Sequence, residues 1–446
     1  MTVITAPAPE RARVPLPAQT AYVNARLLDP ASGLDQPGAL LVEGARIADL
    51  GTRLFGDGAP EGIAIVDCDG MCLAPGIVDA RVHLPEPGEE HKETIETAGR
   101  AAAAGGITAV LCLPNTTPPI DDVAVLEFIA RRAREVRLVK VFAYGAVTKG
   151  IEGERLTQMG LMAEAGAVGF TDGTRAVASA LLMRRALTYA RGFGKLVAQH
   201  PEEPTLAEGG AMNEGEIAMR LGLPGIPAAA EVIMVERDLR LVELTGARYH
   251  AAHLSTDAAI DAVRRAKARG LPVTADTAPP YFALNEGAVG DYRTFAKLSP
   301  PLRSEHDRQA VVAGLRDGTI DVIASDHAPQ DQDSKRVPFA QAAAGAVGLE
   351  TLLPLTLELY HNRHLTLLEA LGRVTHGPAE LFGLDGGRLE RGRPADLVLF
   401  DPDRPWRIDA GSFRSKSKNS PFDRRPTQGR VLSTVVDGRP VFTREG

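Results

Sequence analysis

Cysteine is scarce: 446 residues hold three, Cys68, Cys72 and Cys112, with no CxxC pair among them. That excludes a disulfide framework and fits a reducing compartment, with all three read as small buried hydrophobes. The formal net charge is −7 and no long basic run occurs, so no nucleic-acid surface is expected. No stretch approaches the roughly 18 apolar residues of a membrane span. The opening MTVITAPAPERARVPLP lacks the apolar core of a secretory signal. The expected setting is the cytoplasm. A dinucleotide-binding open sheet is disfavoured as well, because no Gly-x-Gly-x-x-Gly turn follows the first strand of the long alternating region.

What is present is an ordinary globular balance, 44% hydrophobic and 24% charged. The length suits one large barrel plus a small accessory domain. Residues 1–18, rich in Ala and Pro, are expected to be disordered. From Ala21 to Leu73, short apolar runs are broken at Glu43-Gly44 and Asp69-Gly70, as strands joined by turns are. Beyond Pro75, strand-like runs alternate with helical ones that tend to end at Gly. PGIVDARVH, ITAVLCLP, LVKVFAYGAV, AVGFTD, KLVAQH, ARYHAAHLS, LPVTADTAP and DVIASDHAP supply eight strands. This alternation predicts a closed (β/α)8 TIM barrel over 75–385. After Gly386 the pattern is β again, so 19–74 and 386–446 are expected to pair into one small β domain. The basic stretch RSKSKNSPFDRR within it reads as a solvated loop.

An α/β barrel keeps its chemistry at the carboxyl ends of its strands. The sequence places Arg81, His83, Asn115, Asp172, His200, His253 and Asp326 there. Arg81 and His83, two apart, project together. Asp172, His200 and His253 form a nitrogen-and-oxygen set suited to one zinc ion, with positions left open for water. His91, His250, His306, His361, His364 and His376 fall off the strand ends or off period, and read as structural or surface residues. His327 follows Asp326 and is expected to point away from it, supporting the ligands at most.

The motifs around these residues, LAPGIVD, EPGEEHKETI, GGITAVLCLPNT, HLST, SPPLRSEHDR, DGTIDVIASDHAP, VGLETLLPL and KNSPFD, resemble the class I dihydroorotases of the amidohydrolase superfamily. The resemblance spans nearly the whole chain, and the motifs are far more distinctive together than singly. It implies an amidohydrolase-type barrel with a β domain built from both termini. It also implies zinc chemistry interconverting dihydroorotate and N-carbamoyl-L-aspartate in de novo pyrimidine (UMP) biosynthesis. By the resemblance, His83 belongs to the first metal motif, Asp172 is the bridging carboxylate, and His200 and His253 hold the second metal. Asp326 is the metal-bound general acid/base, and Asn115 a substrate contact.

Five positions depart from the family pattern. Arg81 replaces a metal histidine, and Pro85 an arginine that grips the substrate carboxylate, which no proline can imitate. Ser299 replaces an asparagine, Gln330 a histidine, and Ala344 the start of a Phe-Gly pair. Carboxylates deprived of a metal need a cation or a proton. Arg81 is therefore expected to stand in for the first metal beside His83, Asp172 and Asp326, leaving one zinc at most. The leading expectation is a dihydroorotase-like protein, weak or inactive in catalysis, acting in a homo- or hetero-oligomer as structural partner of aspartate transcarbamoylase. The alternative is an active zinc dihydroorotase with a rearranged carboxylate clamp. A hydantoinase- or allantoinase-type enzyme ranks last, because AVGFTDG offers Asp172 and no lysine for carboxylation.

Overall fold

The computed structural model describes residues 18–445 apart from 57 and 59–61. The disorder expected for residues 1–18 thus lies, Ala18 aside, outside the described residues. Both ends of the described chain enter one sheet. Its strands are β1 (Gln19–Asp29), β2 (Leu34–Glu43), β3 (Arg46–Gly51), β4 (Ala64–Asp67) and β5 (Cys72–Pro75) from the first part. The last part supplies β15 (Leu397–Arg407), β16 (Pro426–Val436) and β17 (Arg439–Thr443), and the order is β17-β16-β15-β5-β1-β2-β3 with β4 on β1. The two parts meet where β15 runs antiparallel to β5, Leu397 opposite Pro75 and Phe400 opposite Cys72. Leu27, Leu40, Ile47, Leu73 and Leu397 alternate inward from these strands to form its core. Asp69 and Gly70 both take positive φ, 50° and 75°, the geometry of a tight hairpin-type turn.

The barrel uses β6 (Ile77–Val82), β7 (Ile107–Cys112), β8 (Lys140–Ala143), β9 (Val197–Gln199), β12 (Tyr249–Ala251), β13 (Val273–Thr277) and β14 (Val322–Ile323). A small parallel ladder, β10 (Met212–Asn213) with β11 (Gly225–Ile226), decorates the connection after β9. The fourth barrel position is not the regular strand expected of AVGFTD. It is reduced to a bridge at Phe170, paired with Gly145 on one side and Val197 on the other. The backbone still bonds both neighbours, Val168 N to Ala143 O at 3.1 Å and Phe170 N to Leu196 O at 3.1 Å. Closure comes from a bridge between Val82 and His327, with His83 N donating to His327 O at 2.8 Å. The barrel strands are shorter than the apolar runs that announce them, because the carboxyl end of each run leaves the ladder to deliver polar side chains. Inside, Val78, Ala80, Leu111 and Tyr144 pack with Phe382 of the helix His376–Phe382. Among the described residues, no helix is long and apolar enough to cross a membrane.

One expectation is overturned in part. The stretch 412–425 is solvated on one side only: Ser415, Ser417, Asn419 and Ser420 are buried, while Arg414, Lys416 and Arg424 are exposed. Buried backbone must find partners, and the partners come from the barrel. The Glu93 carboxylate accepts from Lys416 N at 2.9 Å and from the Ser415 hydroxyl. Asn419 Nδ2 donates to Ala328 O at 3.1 Å and Gly345 O at 3.0 Å. The loop is a cover for the barrel mouth, and its Phe422 lines the cavity there.

Candidate active site

A cavity of about 330 Å³ opens at the carboxyl ends of the strands, walled by Arg81, His83, His200, Ser299, Asp326 and Gln330 among others. A register shift between Asp79 and Val82 lets Arg81 follow the inward-facing Ala80 without breaking the strand. His253 and Asp326 take positive φ, 37° and 50°, a conformation that L side chains rarely adopt and that gathers at functional sites. His253 N is held there by the Asp276 carboxylate, whose other oxygen lies 3.0 Å from His250 Nε2. His250 is accordingly buried and structural.

Arg81 decides the electrostatics. It is 4% exposed, its Nε donates to Asp326 Oδ1 at 2.8 Å, and its Nη2 donates to Gly173 O at 3.0 Å. Burial raises the Asp326 carboxyl above its ordinary range, and Arg81 pulls against that rise. Gly173 has φ +66°, and a Cβ there would fall 1.6 Å from Asn115 Oδ1, so the turn that offers its carbonyl admits only glycine.

The guanidinium does not reach Asp172, contrary to expectation. Both Asp172 oxygens are taken by Thr148, Oδ1 by its amide at 2.9 Å and Oδ2 by its hydroxyl at 2.5 Å. Burial pushes the Asp172 carboxyl up to about 6 against the pull of those bonds. His83 lines the cavity, but its Nε2 lies 2.8 Å from Asn115 O, and burial lowers its pKa. Asn115 is not among the cavity-wall residues. Its side chain braces the 172–174 turn, donating to Asp172 O at 3.2 Å and accepting from Thr174 N at 3.3 Å.

The zinc set of the sequence comes together only in part. His200 Nδ1 and His253 Nε2 lie 2.9 Å apart, and His253 Nδ1 is buried without a partner. Burial, then Arg81 and His200, push His253 far below the usual histidine range, so it stays neutral as a ligand must. Asp172 does not join them; both its oxygens are bonded to Thr148. Among the described residues, no three His, Cys, Asp or Glu side chains gather as a metal-holding group. A catalytic zinc takes three protein ligands. Two imidazoles are short of that, so the residues as arranged do not fit the ion.

The other positions expected to depart from the family pattern divide. Ser299, Gln330 and Ala344 line the cavity, with Gln330 Nε2 donating to Ala344 O at 2.9 Å. Pro85 is absent from the cavity wall and accepts from Glu89 N at 2.8 Å. His327 lines the cavity too, its Nδ1 accepting from Gly348 N at 3.1 Å and its Nε2 3.7 Å from Glu93. Sequence reasoning missed Thr148 and Glu93. The first lies beyond β8 with nothing to single it out. The second sits inside the most distinctive motif, but as one carboxylate among several.

Comparison with known proteins agrees with this frame. A family model described as "Dihydro-orotase-like" matches residues 70–259. A dihydroorotase of Anaplasma phagocytophilum is 50% identical over 431 residues, covering 95% of each chain. One of Wolbachia from Brugia malayi is 46% identical, covering 96% of each. Among solved structures, the L-hydantoinase (dihydropyrimidinase) of Arthrobacter aurescens superposes with a TM-score of 0.85 at 26% identity, covering 96% of each chain. The dihydropyrimidinase of Brevibacillus agri gives 0.83 at 20%, a likeness of fold alone. The fold is the amidohydrolase TIM barrel with an attached β domain, and the chain belongs to the dihydroorotase family.

Proposed function

We propose that this member of the dihydroorotase family acts in de novo pyrimidine biosynthesis without turning over dihydroorotate, as a cytoplasmic structural partner of aspartate transcarbamoylase. The observation that carries the catalytic half is the Arg81–Asp326 pair, 2.8 Å apart in the mouth of the barrel. Opening a cyclic amide needs a strong nucleophile, a polarised carbonyl and a base able to move the proton. Asp326, the family's base by resemblance, is tied to a fixed cation. Among the described wall residues, Arg81 is the one lysine or arginine, and it is committed to Asp326. A substrate carboxylate therefore finds no cation to grip it. Losing one buried charge-assisted contact costs about 2–5 kcal/mol, and several lost together lower efficiency by orders of magnitude. The partnership half rests on the family resemblance.

The test is hydrolysis of dihydroorotate by the purified protein with zinc supplied. Negligible turnover is expected, and Pro85→Arg alone should not restore it. Combining Arg81→His, Pro85→Arg, Ser299→Asn and Gln330→His should give measurable activity. Robust wild-type turnover overturns the silent reading. For the partnership, co-purification with aspartate transcarbamoylase is expected, and a transcarbamoylase that assembles and works fully alone overturns it. One observation favours a second reading, a one-zinc dihydroorotase: the imidazoles of His200 and His253 come together, their Nδ1 and Nε2 2.9 Å apart. About one zinc per chain together with turnover adopts it.

A further inference from the structure

At the seam between the barrel and the β17 edge of the sheet lies a second cavity of about 370 Å³, sharing no wall residue with the barrel mouth. Three arginines from three stretches of chain meet in it: Arg414 from the covering loop, Arg430 from β16 and Arg444 just past β17. Among the described residues, none of the three is ion-paired to a carboxylate. They are held instead by aromatic faces and a carbonyl. Arg430 lies 3.9 Å from the centre of the Trp406 ring. Arg414 and Arg444 lie 5.3 Å and 5.2 Å from that of Phe442. Arg444 Nε donates to Val431 O at 2.8 Å.

Among the described wall residues, the sole carboxylate is Glu350, already accepting from the backbone amides of Arg414 at 2.5 Å and Ser415 at 3.3 Å. Burial pushes its carboxyl up to about 7, so it brings one negative charge at most against three positive ones. Burial, then Arg444 and Arg404, draw Arg430 down to about 10. Like charges gathered in a half-buried hollow raise the free energy of the fold unless an anion joins them. A guanidinium presents five N–H donors in a fork that matches phosphate oxygens. The volume lies in the small-molecule range of about 300–1,000 Å³.

We propose that this cavity binds a phosphate-bearing small molecule of at least two negative charges, in chemistry a pyrophosphate or a nucleoside diphosphate. Isothermal titration of the full chain at constant ionic strength tests it, with pyrophosphate, ADP, inorganic phosphate and sulfate as separate probes. Saturable binding of one pyrophosphate or one ADP per chain is expected. Tighter ADP binding points to a nucleotide, and tighter pyrophosphate binding to free polyphosphate. Arg430→Gln and Arg444→Gln, on different elements, should each weaken binding at least tenfold. Arg100→Gln, on the exposed face of the helix Ile95–Ala104, should leave it unchanged. Absence of saturable binding overturns the proposal. So does equal weak binding of all four anions, or variants that bind as the wild type does.

Discussion

Asp79 shows how one residue couples the barrel mouth to pH. It is fully buried; Oδ1 accepts from Ser325 N at 2.9 Å, and Oδ2 has no partner among the described residues. Burial pushes its carboxyl up to about 7 from 3.8. Between those values the folded chain holds a proton that the unfolded chain has released. Stability from this group therefore falls as pH rises through that window and is fully lost above it. Asparagine mimics the protonated carboxyl. In urea unfolding, wild-type stability should fall between pH 5 and pH 8 by about 1–3 kcal/mol more than that of Asp79→Asn; parallel profiles would refute the buried-proton account. Arg81→His removes a charge that balances Asp326 and restores an imidazole beside His83. Zinc per chain, measured after dialysis, should rise relative to wild type. An unchanged content would show that Thr148, by holding Asp172, and not Arg81, keeps the metal out.

Among the elements, the loop from His83 to the helix Ile95–Ala104 turns the most distinctive motif into scaffold. Glu86 accepts from the helix's first amide, Ile95 N, at 2.7 Å and from Arg132 Nε at 2.7 Å. Thr94 and Thr97 close a capping box. Glu93 is fully buried and anchors the covering loop through Lys416 N. Glu93→Ala leaves the Ser415 hydroxyl and the Lys416 amide without their acceptor, at about 1–3 kcal/mol per unsatisfied group. Limited proteolysis should then cut within 412–425 while the wild type resists; equal resistance would show that the loop is held elsewhere. A second joint ties barrel to sheet, where Lys140 Nζ lies 2.7 Å from both Asp396 and Asp437. Asp396 is 7% exposed. Lys140→Ala should cost about 3–5 kcal/mol in denaturant unfolding, because a buried carboxylate loses its cation. A loss below 1 kcal/mol would mean that the sheet, and not this ion pair, fastens the two parts.

At the scale of the molecule, the chain as a whole is 46–50% identical to relatives named dihydroorotase. The barrel carries at its mouth a set of polar side chains paired with one another. A site organised in this way resists loading, since each new ligand must displace a hydrogen bond already made. Purified protein should accordingly hold less than one zinc per chain by elemental analysis, and the fourfold variant at the mouth should hold more. Two zincs on the wild type would refute the charge substitution by Arg81.

The sequence by itself determined the barrel, the composite sheet and the family, because hydrophobic period, turn residues and long motifs are local and survive in one dimension. It also put Arg81 beside Asp326, since both stand at strand ends of a known architecture. Only the tertiary structure decided that Asp172 belongs to Thr148, that Asn115 braces a turn, and that one side of the basic loop is buried. Each is a choice of polar partner from another part of the chain, which no spacing in sequence encodes.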